Sequence, residues 1–198
     1  MNKKYIVEFV GTFALSFVVL LAVASVSLPL PVPVIAGLTL GLFVYTIGAI
    51  SGCHINPAVT LAQWSVKKIS SKDAGFYIVA QLLGAVIAVG IAKMLHIIPM
   101  VEPGIFSGRI FFAESLGAFF FNFGIAAVVY GKVKEQMSGL VVGASLLFGI
   151  LVASFIGSLG ILNPAVALAL GAFSQLYILA PIVGAVLGFQ AYKHVAGD

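Results

Sequence analysis

The sequence predicts an all-α polytopic membrane protein: six transmembrane helices plus two re-entrant half-helices, arranged as an inverted repeat. Three observations predict it. The first is composition: of 198 residues, 62% are hydrophobic and 8% charged, with a mean hydropathy of +1.20, whereas a soluble domain carries about 25% charged residues. A chain this apolar cannot present a wettable surface and belongs in a bilayer. The second is a series of six long apolar runs, each close to the roughly 20 residues needed to cross about 30 Å of hydrocarbon. The third is that Asn-Pro-Ala occurs twice in apolar, glycine-dotted settings. The copies are Ser51-Gly52-Cys53-His54-Ile55-Asn56-Pro57-Ala58 and Ser158-Leu159-Gly160-Ile161-Leu162-Asn163-Pro164-Ala165, with the asparagines 107 positions apart.

Runs bounded by charge, Pro or Gly cover about 5–27, 33–50, 74–95, 109–131, 138–157 and 175–195. A cleaved signal peptide over 1–26 is the rival reading of the first run. No small-residue cleavage motif follows it, however, and it matches an internal segment, so it is kept as a span. The match is Glu8-Phe9-Val10-Gly11-Thr12-Phe13 against Glu114-Ser115-Leu116-Gly117-Ala118-Phe119, 106 positions apart. The chain therefore reads as a single membrane domain, 1–198, built of internal repeats at about 1–98 and 106–198.

Two shorter apolar pieces remain, Asn56 to Val66 and Asn163 to Phe173, about 11 residues each. At 1.5 Å per residue such a helix is about 16 Å long, near half the hydrocarbon thickness, so it can enter the membrane but not cross it. Each opens with Asn in the N-cap position and Pro at the first helical position, where its missing N–H costs nothing.

Charge orients the spans. With the N-terminus cytoplasmic, Lys3, Lys4, Lys67, Lys68, Lys72, Lys132, Lys134 and Lys193 share that side, against Lys93 and Arg109 on the other, the bias expected of a membrane protein with both termini inside. The sequence pI near 9.3 has the same origin: the basic residues are scattered in short loops rather than gathered on one face, so no nucleic-acid surface is read. Three full spans per repeat is an odd number, so the second copy is inverted and the half-helices enter from opposite faces. Their N-termini, at Asn56 and Asn163, then meet near the midplane, where inverted-repeat membrane proteins place their sites. Non-helical backbone at that depth lines a cavity or is buried in protein, and a water-accessible path is inferred.

Two opposed helix N-termini each carry roughly half a positive elementary charge, which repels a cation and leaves a neutral solute indifferent. The Asn56 and Asn163 amides can donate to a passing oxygen, and carbonyls around Gly52, Cys53 and His54 and around Leu159, Gly160 and Ile161 offer acceptors. A solute that trades a few water hydrogen bonds for these passes cheaply; an ion that sheds its whole hydration shell does not.

With these flanks the doubled motif resembles the aquaporin and aquaglyceroporin family, the major intrinsic proteins. The resemblance spans essentially the whole chain: Glu8 through Phe17, Ser51 through Ala62, Glu114 with Gly117, the second Asn163-Pro164-Ala165, and Ala180-Pro181-Ile182-Val183-Gly184-Ala185. It implies a homotetramer with one pore per subunit, and a central constriction at Asn56, Pro57, Ala58, Asn163, Pro164 and Ala165. It also implies a narrower outer filter where the family usually places an arginine and often an aromatic ring. Here the sequence departs from the pattern. Family members continue the second motif as Asn-Pro-Ala-Arg, but position 166 is Val, and no charged residue lies between Glu135 and Lys193. Family spacing puts the rest of the filter at Ala36, Gly160 and about Leu151, with Ile150 or Val152 one residue either way. A filter of Ala36, Leu151, Gly160 and Val166 is more apolar than the common versions and wider at Ala36 and Gly160.

Other residues carry two readings each. Glu8 and Glu114 sit in spans, where a carboxylate is expensive; they read as bracing the re-entrant loops, with a part in conduction as the alternative. His54 reads as a brace of the same loop, the alternative being a pH gate. Cys53, the one cysteine, either lines the pore or packs sideways, and as a single cysteine it excludes an intrachain disulfide. His96 and His194 are too isolated to ligate a metal, and no nucleophile elbow, phosphate loop or metal-spaced set occurs, so neither cofactor nor metal is expected and enzyme readings have no support. Three classes remain: a passive channel for small uncharged solutes, a secondary transporter, and a non-conducting structural membrane protein. The first accounts for the paired half-helices and the lack of titratable groups in the path. A transporter normally places coupling carboxylates at the midplane, whereas these glutamates lie near span starts. Water, glycerol-like polyols, hydrogen peroxide, ammonia, neutral metalloids and gases all stay open as solutes, and the trimmed loops suggest a prokaryotic plasma membrane.

Overall fold

The computed structural model describes residues 2–25, 30–97, 101 and 106–196. Among them are eight α-helices and no strand: α1 (Lys3–Ala24), α2 (Val32–Ser51), α3 (Pro57–Ser65), α4 (Ser71–Met94), α5 (Gly108–Val129), α6 (Ser138–Ile156), α7 (Pro164–Ala169) and α8 (Gln175–Ala196). Six of them, all but α3 and α7, are long and apolar enough to cross a membrane. The expected ends at 27 and 98 lie outside the described residues.

Polarity is distributed inside out. Glu8, Thr12, Ser16, Gln81, Glu114 and Asn122 are fully buried, while Leu38, Leu42, Leu140 and Phe155 are largely exposed. That pattern suits hydrocarbon as solvent, which penalises an unsatisfied polar group on the outside and not an apolar one. α4 starts three residues earlier than its hydropathy suggests. The Ser70 hydroxyl oxygen accepts from the Asp73 N–H at 3.1 Å, and Lys4 pairs with Asp73 at 2.7 Å, so two charged residues fit in its first turn.

The helices pack in matched pairs, α1 with α4 and α5 with α8, α1 with α2 and α5 with α6, while α2 and α6 pack against each other. Glycine sets the spacing. A Cβ on Gly84 of α4 would stand 2.6 Å from the Phe9 carbonyl of α1, one on Gly37 of α2 would stand 2.7 Å from the Gly143 carbonyl of α6, and one on Gly184 of α8 would meet the Ser115 carbonyl of α5. Lipid tails are as apolar as leucine, so close backbone approach and its dispersion contacts supply much of the helix association.

The first half-helix lies between its expected bounds, Asn56 and Val66, and the second stops short of Phe173. α3 has 9 residues and α7 only 6. α7 stops because Gly171 turns left-handed at φ 76°; its N–H bonds to Leu168 O at 3.2 Å and the next N–H, of Ala172, to Ala167 O at 2.9 Å. This is the Schellman closure, which satisfies the last carbonyls of a helix. α3 closes the same way through Lys67 (φ 63°), with Lys67 N–H to Trp64 O and Lys68 N–H to Gln63 O. The apolar run that marks α3 stops there too, at Val66, whereas the run that marks α7 continues past Gly171 to Phe173.

Candidate functional site

Asn56 and Asn163 build the centre by doing the same work twice. Each is extended, at φ −160° and −147°, and uses its side-chain oxygen to cap its own helix: Asn56 Oδ1 accepts from Ala58 N–H at 2.8 Å, Asn163 Oδ1 from Ala165 N–H at 2.9 Å. Each side-chain nitrogen then donates across to the other loop, Asn56 Nδ2 to Leu162 O at 3.0 Å and Asn163 Nδ2 to Ile55 O at 3.1 Å. The two helix starts are therefore tied tip to tip. An amide nitrogen carries two hydrogens, so each asparagine keeps one donor beyond this clamp. Pro57 and Pro164 occupy the first helical positions, and Ala58 and Ala165 are fully buried behind them.

The two acceptor carbonyls belong to residues in the left-handed region, Ile55 at φ 38° and Leu162 at φ 54°. Side chains adopt that conformation at a cost of about 1–2 kcal/mol each, so something must hold them. Glu8 does so for the first loop: Oε1 accepts from the Ser51 hydroxyl (2.6 Å) and His54 N–H (2.9 Å), Oε2 from Ile55 N–H (2.7 Å) and the Gln81 amide (2.8 Å). Glu114 does the same for the second, accepting from the Ser158 hydroxyl, Ile161 N–H (3.1 Å) and Leu162 N–H (2.9 Å). A buried carboxylate that accepts three or four hydrogen bonds is compensated, and the peptide N–H groups it collects are turned away from the lumen.

The halves differ in what surrounds the clamp. Thr60 accepts from Gln81 Nε2 at 3.0 Å and sits 3.1 Å from His54 Nδ1, and the His54 ring packs edge-on to Tyr77, whose hydroxyl donates to Ser51 O at 2.7 Å. At the same 107-residue offset the second loop has Ile161 for His54 and Ala167 for Thr60.

From the clamp a cavity of about 190 Å³ runs toward the end where α1 finishes and α2 begins. Asn56 and Asn163 line it, together with His54, Leu159, Gly160 and Ile161. Of the expected filter, Ala36, Gly160 and Val166 line it as well. Leu151 does not, and is corrected to Ile150. α6 turns Val142, Leu146 and Ile150 inward at helical spacing, which leaves Leu151 36% exposed on the outer face; counting along a chain does not settle which side of a helix a residue takes. Gly52 and Cys53 are also absent from the lining. Gly52 ends α2 at φ 85°, and Cys53, 5% exposed, is held by its N–H on Ser51 Oγ at 3.1 Å. Gly160 is required twice over. Its φ is 66°, and a Cβ would stand 2.9 Å from both the Ile150 carbonyl and Ile150 Cγ2.

Sequence reading missed Gln81, Thr60, Ser51 and Ser158 as loop partners, and Leu15, Leu40, Phe121 and Leu146 as walls. The repeat offset was an available signal: Ser51 and Ser158 are 107 apart, Leu40 and Leu146, like Leu15 and Phe121, 106 apart. The one arginine, Arg109, does not replace the missing filter cation. Its Nε donates to Ile156 O at 2.6 Å, closing the C-terminus of α6.

This arrangement has relatives. The family model described as major intrinsic protein matches residues 1–192. The chain is 36% identical to the glycerol uptake facilitator protein-like 6 of Lactiplantibacillus plantarum, over 93% of this chain and 94% of that one. It is 30% identical to the aquaporin AqpM of Methanothermobacter thermautotrophicus, over 100% and 99%. Among solved structures, the aquaglyceroporin from Plasmodium falciparum superposes with a TM-score of 0.80 at 26% identity, covering 98% of this chain and 96% of that one. Two capped half-helices joined through their asparagines, six apolar spans around them and full-length similarity at these levels make one conclusion: this chain belongs to the major intrinsic protein family.

Proposed function

We propose that the protein is a passive transmembrane channel whose path runs between Asn56 and Asn163 and admits small uncharged solutes while excluding ions. The observation that carries this reading is the clamp itself, two asparagine-capped helix starts tied together at the floor of a cavity with no charged side chain among its described lining residues. The half-positive potential of each helix start opposes cations. The apolar walls oppose any ion, because nothing there replaces its hydration shell. The names of its relatives, a glycerol uptake facilitator-like protein and an aquaporin, support water and glycerol-sized molecules as the size class. Glu8 and Glu114 are fully engaged in holding the loops, so neither is left to carry the coupling proton a secondary transporter needs. The constriction is formed by Asn56 and Asn163 with Pro57, Ala58, Pro164 and Ala165 behind them, and the filter by Ala36, Ile150, Gly160 and Val166. The subunit works as one pore of a homotetramer in a prokaryotic plasma membrane, both termini cytoplasmic, as the lysine bias supports.

Stopped-flow light scattering on proteoliposomes tests it, with neutral osmolytes in one series and a sodium gradient under voltage clamp in the other. Protein-dependent solute flux without sodium current is expected. A sodium conductance of channel size overturns the reading.

A further inference from the structure

We propose that the outer half of this pore selects against hydrogen-bonding groups: among neutral solutes of similar size it passes those with fewer hydroxyls faster, and it passes water slowly. The proposal rests on the channel reading above and names the solute chemistry of that same site.

The cavity walls rise from the clamp in tiers. Three helices line it at four-residue intervals: Leu15, Val19 and Val23 on α1, Val32, Ala36 and Leu40 on α2, Leu146, Ile150 and Ser154 on α6. One helical turn advances about 5.4 Å, so the tiers are Leu15 with Leu40 and Leu146, then Val19 with Ala36 and Ile150, then Val23 with Val32 and Ser154. Val166 faces the same cavity from α7. The first two tiers hold no polar side chain, and Ser154 appears only at the third.

What remains is one strip of backbone, Leu159 to Ile161. Its hydrogen-bonding character is one-sided. The N–H groups of Ile161 and Leu162 are spent on Glu114 behind the loop, and those of Ala165 and Val166 on Asn163 Oδ1. Carbonyls of Gly160 and Ile161 receive no hydrogen bond from any described residue. A solute in the first two tiers can therefore give a hydrogen to the strip, yet finds no side-chain donor for its lone pairs until it reaches the floor, where Asn56, Asn163 and His54 line the cavity. Every hydroxyl brings lone pairs that stay bare through that passage, and each bare group costs roughly a factor of ten or more in rate. Water suffers the same loss, and an apolar constriction favours dewetting, which slows its passage further.

The test compares glycerol, propane-1,2-diol and water in proteoliposomes, subtracting empty vesicles, for wild type, Val166→Thr and Val166→Ala. Threonine keeps the shape of valine and adds one hydroxyl to the wall; alanine widens the wall without polarity. Wild type is expected to pass the diol about tenfold faster than glycerol, with water slow. Val166→Thr is expected to raise water and glycerol several-fold and shrink the diol-to-glycerol ratio, while Val166→Ala raises all three together. Should Val166→Thr fail to assemble, Ile150→Thr places a hydroxyl in the second tier and carries the same expectation. A wild-type pore that passes water freely, or a ratio that Val166→Thr leaves alone, overturns the proposal and leaves the channel standing. No protein-dependent flux of any solute overturns the channel reading itself.

Discussion

At the scale of single residues, the site is held by two carboxylates with unequal duties. Both oxygens of Glu8 accept two hydrogen bonds, whereas Glu114 accepts two on Oε1 and one on Oε2. An amide in place of the carboxylate turns one oxygen into a donor. Glu8→Gln and Glu114→Gln each set that donor against one peptide N–H that cannot turn round, His54 or Ile55 in the first and Ile161 or Leu162 in the second, because the Ser51 and Ser158 hydroxyls and the Gln81 amide can reorient to accept. With about 1–3 kcal/mol per orphaned buried group, each substitution is expected to cost about 1–3 kcal/mol. Thermal unfolding of the purified variants in detergent checks it, and a variant as stable as the parent would show that its loop does not depend on its brace in this way. Glu8 and Glu114 stand out in the sequence because a charge in a span is costly. Gln81 and Thr60 carry no such mark, since the value of a neutral polar side chain depends on which buried neighbour it reaches.

At the scale of elements, glycine spacing and helix ends decide how closely the spans approach. α4 contains its own control. A Cβ at Gly84 would meet the α1 backbone at 2.6 Å, but one at Gly75 would meet nothing within 4 Å. Gly84→Ala is therefore expected to destabilise by about 1–3 kcal/mol through forced separation of α1 and α4. Gly75→Ala should be neutral or stabilising by up to about 1 kcal/mol, because alanine loses less backbone freedom in a helix than glycine. Denaturation midpoints of the two variants decide it; similar effects would refute the close-approach account. Helix ends were legible at Gly131 and Gly157, and also before Lys67 and His96, where the apolar runs stop at Val66 and Leu95 although the left-handed residue carries a side chain. The end of α7 was not legible, because the apolar run continues to Phe173 past the left-handed Gly171 that closes the helix.

At the scale of the whole molecule, the pore is set by the pairing of two halves that share the capped Asn-Pro-Ala and differ around it, as at His54 and Ile161. The valine after the second motif leaves the helix starts as the fixed positive charge facing the path, since Arg109 is engaged at the end of α6. Val166→Arg would add a whole charge and a long side chain to a cavity of about 190 Å³. It is expected to lower glycerol permeability by about tenfold or more, a change of some 1.4 kcal/mol in barrier, and to raise the water-to-glycerol ratio, read by stopped-flow in matched proteoliposomes. An unchanged ratio would mean that flux is limited elsewhere than at position 166.

By itself the sequence determined the solvent, the number of spans, the duplicated half-helices and the pair of asparagines, because each of these follows from local composition or from a repeat within the chain. Family spacing named Ala36, Gly160 and Val166, and all three line the cavity. Only the tertiary structure decided that Ile150 and not Leu151 faces the cavity, that each asparagine donates to the opposite loop, and that Gln81 joins Thr60 to Glu8. Those outcomes depend on the azimuth of a helix and on contacts 21 to 108 residues apart. Hydropathy along the chain holds no such information, since a helix buries whichever side its neighbours leave room to approach.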